Sequence, residues 1–217
     1  MPELSVRPYT PVDRSDVHRI AADTAFFGDP VEVFLDDRQA FCDAFPTYYT
    51  DQEPEHAWVA CIKGEVVGFL LGCVETSQQR AWFRKTLPGM IGNAVRGVYR
   101  ISNRTLNYTA QIAQAAFRGE FTHVNLVSYP AHLHINLAAC SRGLGLGWRL
   151  IEAYLGQLRQ LGVPGVHLET TSQNQAACHL YRKAGFELLD ARPTRLWKRY
   201  VPVLVENRCY GLRLGSG

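Results

Sequence analysis

The chain has 217 residues, 47% of them hydrophobic and 20% charged, with a formal net charge of +3. That composition supports a folded core and excludes a disordered chain, and so small a net charge gives no reason to expect a nucleic-acid partner. The six cysteines, at 42, 61, 73, 140, 178 and 209, form no CxxC pair and no cluster with zinc-ligand spacing, so free thiols, a reducing compartment and no metal are expected.

Residues 4 to 9 (LSVRPY) read as a first strand, and Asp13 or Ser15 as the cap of a helix whose inward face holds Val17, Ile20, Ala21 and Thr24. A second helical stretch over 36 to 45 is expected to end near Pro46, since the residue before a proline is pushed out of helical geometry. Segment 57 to 75 holds two β-rich runs joined by Lys63-Gly64-Glu65 and reads as a hairpin. Residues 76 to 121 form a separate basic unit, in which Leu87, Ile91, Ala94, Val98 and Ile101 follow helical spacing and the arginines read as the solvated face of that helix. Strand signals return at Thr122 to Val127 and at His132 to Ala138. A glycine turn, a long helix, the strand GVHLETT and the helix NQAACHLYRKAGF follow, with Gly185 as a C-terminal stop. The stretch from Glu187 to Leu212 suggests one or two more strands, and Gly215 to Gly217 a frayed end. The opening MPELSVRPYTPVDRSD has no apolar leader core, and no run of about 18 apolar residues occurs, so the protein reads as cytoplasmic, without a membrane span, and as one domain over 1–217.

The segment INLAACSRGLGLGWRLIEAYL is the most informative, because a strand enters a turn with glycines at 143, 145 and 147 and passes directly into a periodic helix. Small residues let the backbone approach a phosphate, and the first free N–H groups of the helix point outward with the positive end of its dipole behind them. The sequence Arg142-Gly143-Leu144-Gly145-Leu146-Gly147 is neither a dinucleotide fingerprint nor a P-loop. It does match the Q/R-x-x-G-x-G/A signature, and the chain here resembles the GNAT acetyltransferase superfamily. A second match follows in order: Asn174, Ala177, Leu180, Tyr181, Lys183, Gly185 and Phe186 reproduce that family's N-x-x-A-x-x-L-Y-x-K-x-G-F pattern. SYPAHLHINL is also similar to a subgroup that includes the acetyltransferase-like domain of some O-GlcNAc hydrolases.

The resemblance covers roughly residues 122 to 190, extends less firmly over 4 to 75, and leaves 76 to 121 uncovered. It implies an α/β fold: a mixed, twisted central sheet flanked by helices, with 76–121 as a helical insertion between the third and fourth strands. It also implies acetyl-CoA or another acyl-CoA as co-substrate. The backbone of Leu137, Ala138 and Ala139 would pair with the pantetheine amides, and Arg142, Gly143, Leu144, Gly145, Leu146 and Gly147 would hold the phosphates. Asn174 would touch the pantetheine arm, and the Tyr181 hydroxyl would donate to the departing sulfur.

The sequence itself marks no base. His132 and His134 alternate along a strand and share a face; His134 leads as base because imidazole titrates near neutrality, with Glu75 and Glu169 as alternatives. Cys140 reads as a small packing residue, with nothing nearby to activate its thiol. The expected reaction is direct transfer of an acetyl group to a primary amine on a small molecule or peptide, and a homodimer is compatible with it. The alternatives are a module that holds acyl-CoA without turnover and an interaction domain that works through the basic insertion.

Overall fold

The computed structural model describes residues 3–215, so the expected fraying of Ser216 and Gly217 lies outside the described residues. The strands are β1 (Leu4–Pro8), β2 (Ala57–Ile62), β3 (Glu65–Cys73), β4 (Ala131–Leu137), β5 (Gly165–Thr171), β6 (Glu187–Thr194) and β7 (Val205–Arg213). The helices are α1 (Arg14–Asp23), α2 (Arg38–Ala44), α3 (Pro46–Asp51), α4 (Thr76–Val95), α5 (Asn103–Phe117), α6 (Leu146–Gln160) and α7 (Gln175–Lys183). The strands form one sheet in the order β1-β2-β3-β4-β5-β7-β6. Every junction is antiparallel except β4–β5, which is parallel and is bridged by α6. This is the mixed, helix-flanked sheet expected from the resemblance.

Alternation along the central strands sorts the core into two layers. Leu70 and Leu133 face α6 and pack with Leu146, Leu150, Ile151 and Tyr154. Phe69 and Leu71 face the other way, onto Val17 and Ile20 of α1 and Tyr48 and Tyr49 of α3. Tyr154 lies flat on Gly72, where a Cβ would come within 2.3 Å of its ring, and its hydroxyl donates to the carbonyls of Cys73 and His132. At the sheet edge, Asp13 accepts two hydrogen bonds from Arg7 at 2.7 Å and two from Thr10, tying β1 to the start of α1. The Arg7 guanidinium, more than any other neighbour, holds the Asp13 carboxyl down at about 2.

The β2–β3 hairpin forms as expected, with Lys63 and Gly64 both at positive φ (50° and 85°), the two-residue turn that matches strand twist. The second helical stretch also ends near Pro46 as expected: α2 stops at Ala44, and Pro46 opens a new helix, α3, in the first-turn position, where its missing N–H costs nothing. Two other expectations need correction. No strand forms over 122–127, because Asn125 accepts from the amides of Val127, Ser128 and Tyr129 and curls the chain into a turn.

The second correction concerns the insertion, whose helices are α4 and α5. The period through Leu87, Ile91, Ala94, Val98 and Ile101 does not trace one packed helix. Helix α4 ends at Val95, and Gly97 (φ 75°) closes it, with its N–H on Ala94 and that of Val98 on Asn93. Leu87, Ile91, Val98 and Ile101 are all exposed.

Candidate functional site

Strands β4 and β5 have seven residues each, yet only Ala131↔Val166 and His132↔His167 pair between them. Beyond that point β4 stays with β3 and β5 stays with β7, so the sheet parts into two halves. The amide of Ala138 donates to the Val67 carbonyl at 2.8 Å, which fixes the phase of the β3–β4 ladder. Even-numbered residues of β4 therefore bond to β3, and the N–H and C=O groups of Leu133, Ile135 and Leu137 point to the side that β5 has left. A linear ligand carrying amides could continue the ladder there. Ala138 departs from the expectation, since its amide is committed to Val67. Ala139 is already in a short 3-10 turn with Ser141, whose buried hydroxyl bonds the carbonyls of Ala138 and Val67.

The glycine turn follows. Gly143 and Gly145 sit at φ 79° and 78°, and a Cβ on either would meet no atom within 4 Å. The backbone conformation, and not crowding, requires glycine at both, and the outer side of the turn is open to a ligand. Gly145 caps α6 without a side-chain hydrogen bond, so the first-turn amides of the helix face outward. Gly147 differs: its Cβ would press on Leu180 at 3.1 Å and Leu137 at 3.5 Å, so the helix start is packed against α7 and the end of β4. Leu146 is buried and Leu144 exposed. The exposed Arg142 reaches back across the turn after α1, where its guanidinium would lie 2.7 Å from a Cβ on Gly28. Lys183 lies over the Trp148 ring at 5.2 Å, which joins α7 to α6 on the same side. The Asn174 side chain caps α7 by accepting from the Ala177 amide at 3.2 Å.

Tyr181 and His134 approach the parted strands from opposite faces. Tyr181 is 5% exposed within the α6–α7 layer, packed near Phe186 and Tyr210, and burial pushes its phenol well up. Its hydroxyl makes no hydrogen bond among the described residues. His134 lies in the α3 layer with its ring against Phe45, Tyr49 and His132. Burial, then the neighbouring His167, pushes its imidazole down to about 4.

His132 is locked. The Thr76 hydroxyl gives its only proton to the Pro130 carbonyl at 2.6 Å, so it must accept from His132 Nδ1 at 2.7 Å. That makes Nε2 the acceptor for the Tyr49 hydroxyl, also at 2.7 Å. The ring is thus held neutral in one tautomer, with burial driving its pKa well below the ordinary value. Such a group supports structure and takes up no proton. Neither carboxylate alternative is free: Glu75 caps α4 through Ser77, and Glu169 accepts from Thr122. Cys140 is exposed, contrary to the packing role expected of it. Tyr49 and Thr76 escaped the sequence reading because they lie 83 and 56 residues from His132 and carry no local signal.

An aromatic cluster borders the α3 side of this region. Phe26 and Phe34, with Tyr108 from α5 and Trp197 and Tyr200 from the β6–β7 connection, place their rings 4.5 to 6.4 Å apart. Among the described residues, no group of three or more His, Cys, Asp or Glu side chains is arranged to hold a metal ion, and no helix is long and apolar enough to cross a membrane.

The model of the acetyltransferase (GNAT) family matches residues 131–186, the stretch from β4 through the glycine turn, α6 and β5 to the end of α7. Among solved structures the chain is similar to SsHAT, at 27% identity over 98% of each chain with a TM-score of 0.64. It is also similar to yncA, a putative acetyltransferase from Salmonella typhimurium solved with its cofactor acetyl-CoA, at 13% identity over 99% of this chain and 95% of that one, TM-score 0.59. A third likeness is to the polyamine N-acetyltransferase of Drosophila melanogaster, at 15% identity over 98% and 100% of the two chains, TM-score 0.60. The last two likenesses speak for the fold. Residues 131–186 carry the match to the acetyltransferase (GNAT) family model, and the seven-stranded sheet is similar in fold to these solved structures.

Proposed function

We propose that the protein transfers an acyl group, acetyl before others, from acyl-CoA to a primary amine by direct attack. The observation that carries this reading is the parting of β4 from β5 directly before a glycine turn that opens α6. Its chemistry fits the co-substrate: unpaired strand amides suit a pantetheine arm, and outward helix amides beside two left-handed glycines suit a diphosphate. The family match over this stretch, and the acetyl-CoA held by the Salmonella protein, support the choice.

In this reading Leu133, Ile135 and Leu137 supply the strand amides and carbonyls, and Ala138 supplies none. The amides from Gly143 through Gly147 receive the phosphates, with Arg142 and Leu144 on the rim. The amide nitrogen of Asn174 serves the pantetheine arm while its oxygen holds the α7 cap. Bound acyl-CoA supplies the thioester that the amine attacks. Tyr181 Oη, protonated at every physiological pH, donates toward the sulfur from the α7 face. His134, a free imidazole at neutral pH, accepts a hydrogen bond from the amine on the α3 face and orients its lone pair; its low pKa leaves most of the released proton to solvent. Cysteines 42, 61, 73, 178 and 209 are buried thiols and Cys140 an exposed one, which fits a reducing cytoplasm.

The test is release of CoA thiol from acetyl-CoA in the presence of a panel of amines, with mass spectrometry of the acceptor. Turnover is expected with at least one primary amine, and Tyr181→Phe should slow kcat by about a hundredfold with CoA affinity unchanged. Calorimetric CoA binding without turnover on any amine would leave a binding module, and equal rates for both proteins would remove Tyr181 from the mechanism.

A further inference from the structure

The insertion has a charge and an exposure that acyl transfer does not require. Residues 76 to 119 hold seven of the 23 Lys and Arg residues and no Asp or Glu. Setting these seven apart from the overall +3 leaves the remainder of the chain at −4. Arg96, Arg104 and Arg118 are engaged locally, by Asn93, by Asp36 and the Glu32 carbonyl, and by Glu120. Arg80, Arg84, Lys85 and Arg100 form no ion pair among the described residues.

Helix α4 is 20 residues long and buries only Thr76. Its inner side carries Trp82, packed on Tyr48, yet its outer side is also apolar: Leu87, Ile91 and Val95, spaced four apart on one side, are 40%, 56% and 83% exposed. On α5, Leu106 and Phe117 are 57% and 94% exposed. A helix that is apolar on both sides normally has both sides covered.

We propose that the α4–α5 insertion docks the protein on the surface of an anionic lipid bilayer, with the α4 stripe seated among the headgroups and Arg80, Arg84, Lys85 and Arg100 on their acidic groups. Charge and apolarity together select this occupant. A nucleic acid would use the cations but has no call for an aliphatic stripe. A second copy set stripe to stripe would bring arginines against arginines, with no carboxylate in the segment to separate them. An anionic bilayer supplies negative charge and an apolar boundary in one surface. The insertion leaves the sheet at Cys73, the end of β3 remote from the glycine turn, so docking leaves the glycine turn clear.

The experiment is flotation of the full chain with vesicles of phosphatidylcholine alone and with vesicles of three parts phosphatidylcholine to one part phosphatidylserine. Binding is expected to the mixed vesicles only, weakening as salt is raised. Arg80→Gln with Arg84→Gln and Lys85→Gln should lower it by about a hundredfold, at about fivefold per cation. Leu87→Gln with Ile91→Gln and Val95→Gln should abolish it, and the single Ile91→Gln, at an exposed position, should weaken it with the melting temperature unchanged. Equal binding to both vesicle types, no binding to either, or full binding by both triple variants overturns the proposal. So does a stripe variant that turns a dimer into a monomer in sedimentation equilibrium while neither protein floats, which would assign the stripe to a second copy.

Discussion

Lowering the pH from 6.5 to 5.5 should destabilise this protein through the histidines at the closed end of the parted sheet. His132 and His167 are 7% and 4% exposed, His134 is walled by Phe45 and Tyr49, and burial lowers the pKa of all three. The unfolded chain takes up a proton at each near pH 6.5 while the folded chain does not, so the unfolded state binds more protons and stability falls as pH falls through 6.5. With 1.36 kcal/mol per proton and pH unit, His134, held at about 4, loses about 1 kcal/mol over that unit, and His132 and His167, lowered by burial, add to the same sign. His18, lowered mainly by burial, adds to the same sign. Carboxylates held low, such as Asp13 at about 2, do not contribute until the pH drops below about 4. Urea unfolding followed by circular dichroism at the two pH values should show the midpoint falling by at least about 0.3 M. In His134→Phe, which keeps an aromatic ring in an aromatic setting, the loss of stability should shrink by about 1 kcal/mol. A midpoint that does not move between pH 6.5 and 5.5 would refute the claim that these rings are held neutral.

Gly145→Ala places a side chain at φ 78° with nothing nearby to strike, so it should cost about 1–2 kcal/mol in stability, while CoA affinity by calorimetry falls by more than tenfold; unchanged affinity would clear the turn of phosphate contact. Gly156→Ala, inside α6 with open space around its Cβ, should instead raise stability by about 1 kcal/mol in the same urea assay. Tyr49→Phe leaves His132 Nε2 buried without its donor, so a loss of about 1–3 kcal/mol is expected, and a loss below about 0.5 kcal/mol would show that the hydrogen bond is idle.

What the sequence made legible is what short-range chemistry controls. Gly143 and Gly145 declared the turn because only glycine takes those backbone angles readily, and Gly185 declared the end of α7 in the same way. Amphipathic α6 and the β2–β3 hairpin follow from periods and turn residues that neighbours in sequence can enforce. The failures lie where distant partners decide. Thr122 to Val127 has the residues of a strand, but Asn125 folds them into a turn, with Thr122 bound to Glu169 and the His123 amide to Asp190. His132 and His134 look equivalent by alternation, and only Tyr49 and Thr76, brought in by α3 and α4, make one structural and leave the other available. The apolar period of the insertion did not reveal its exposure, because periodicity records which residues share a side, not whether anything lies against that side.

The seam between β4 and β5 is two residue pairs wide in a sheet of seven strands. Whatever beds its own amides along Leu133 to Leu137 acts as a keystone as well as a passenger, since it bridges strands that pair with each other only at one end. The folding equilibrium is then tied by mass action to the supply of that molecule, and the lifetime of the protein in a cell would rise and fall with it.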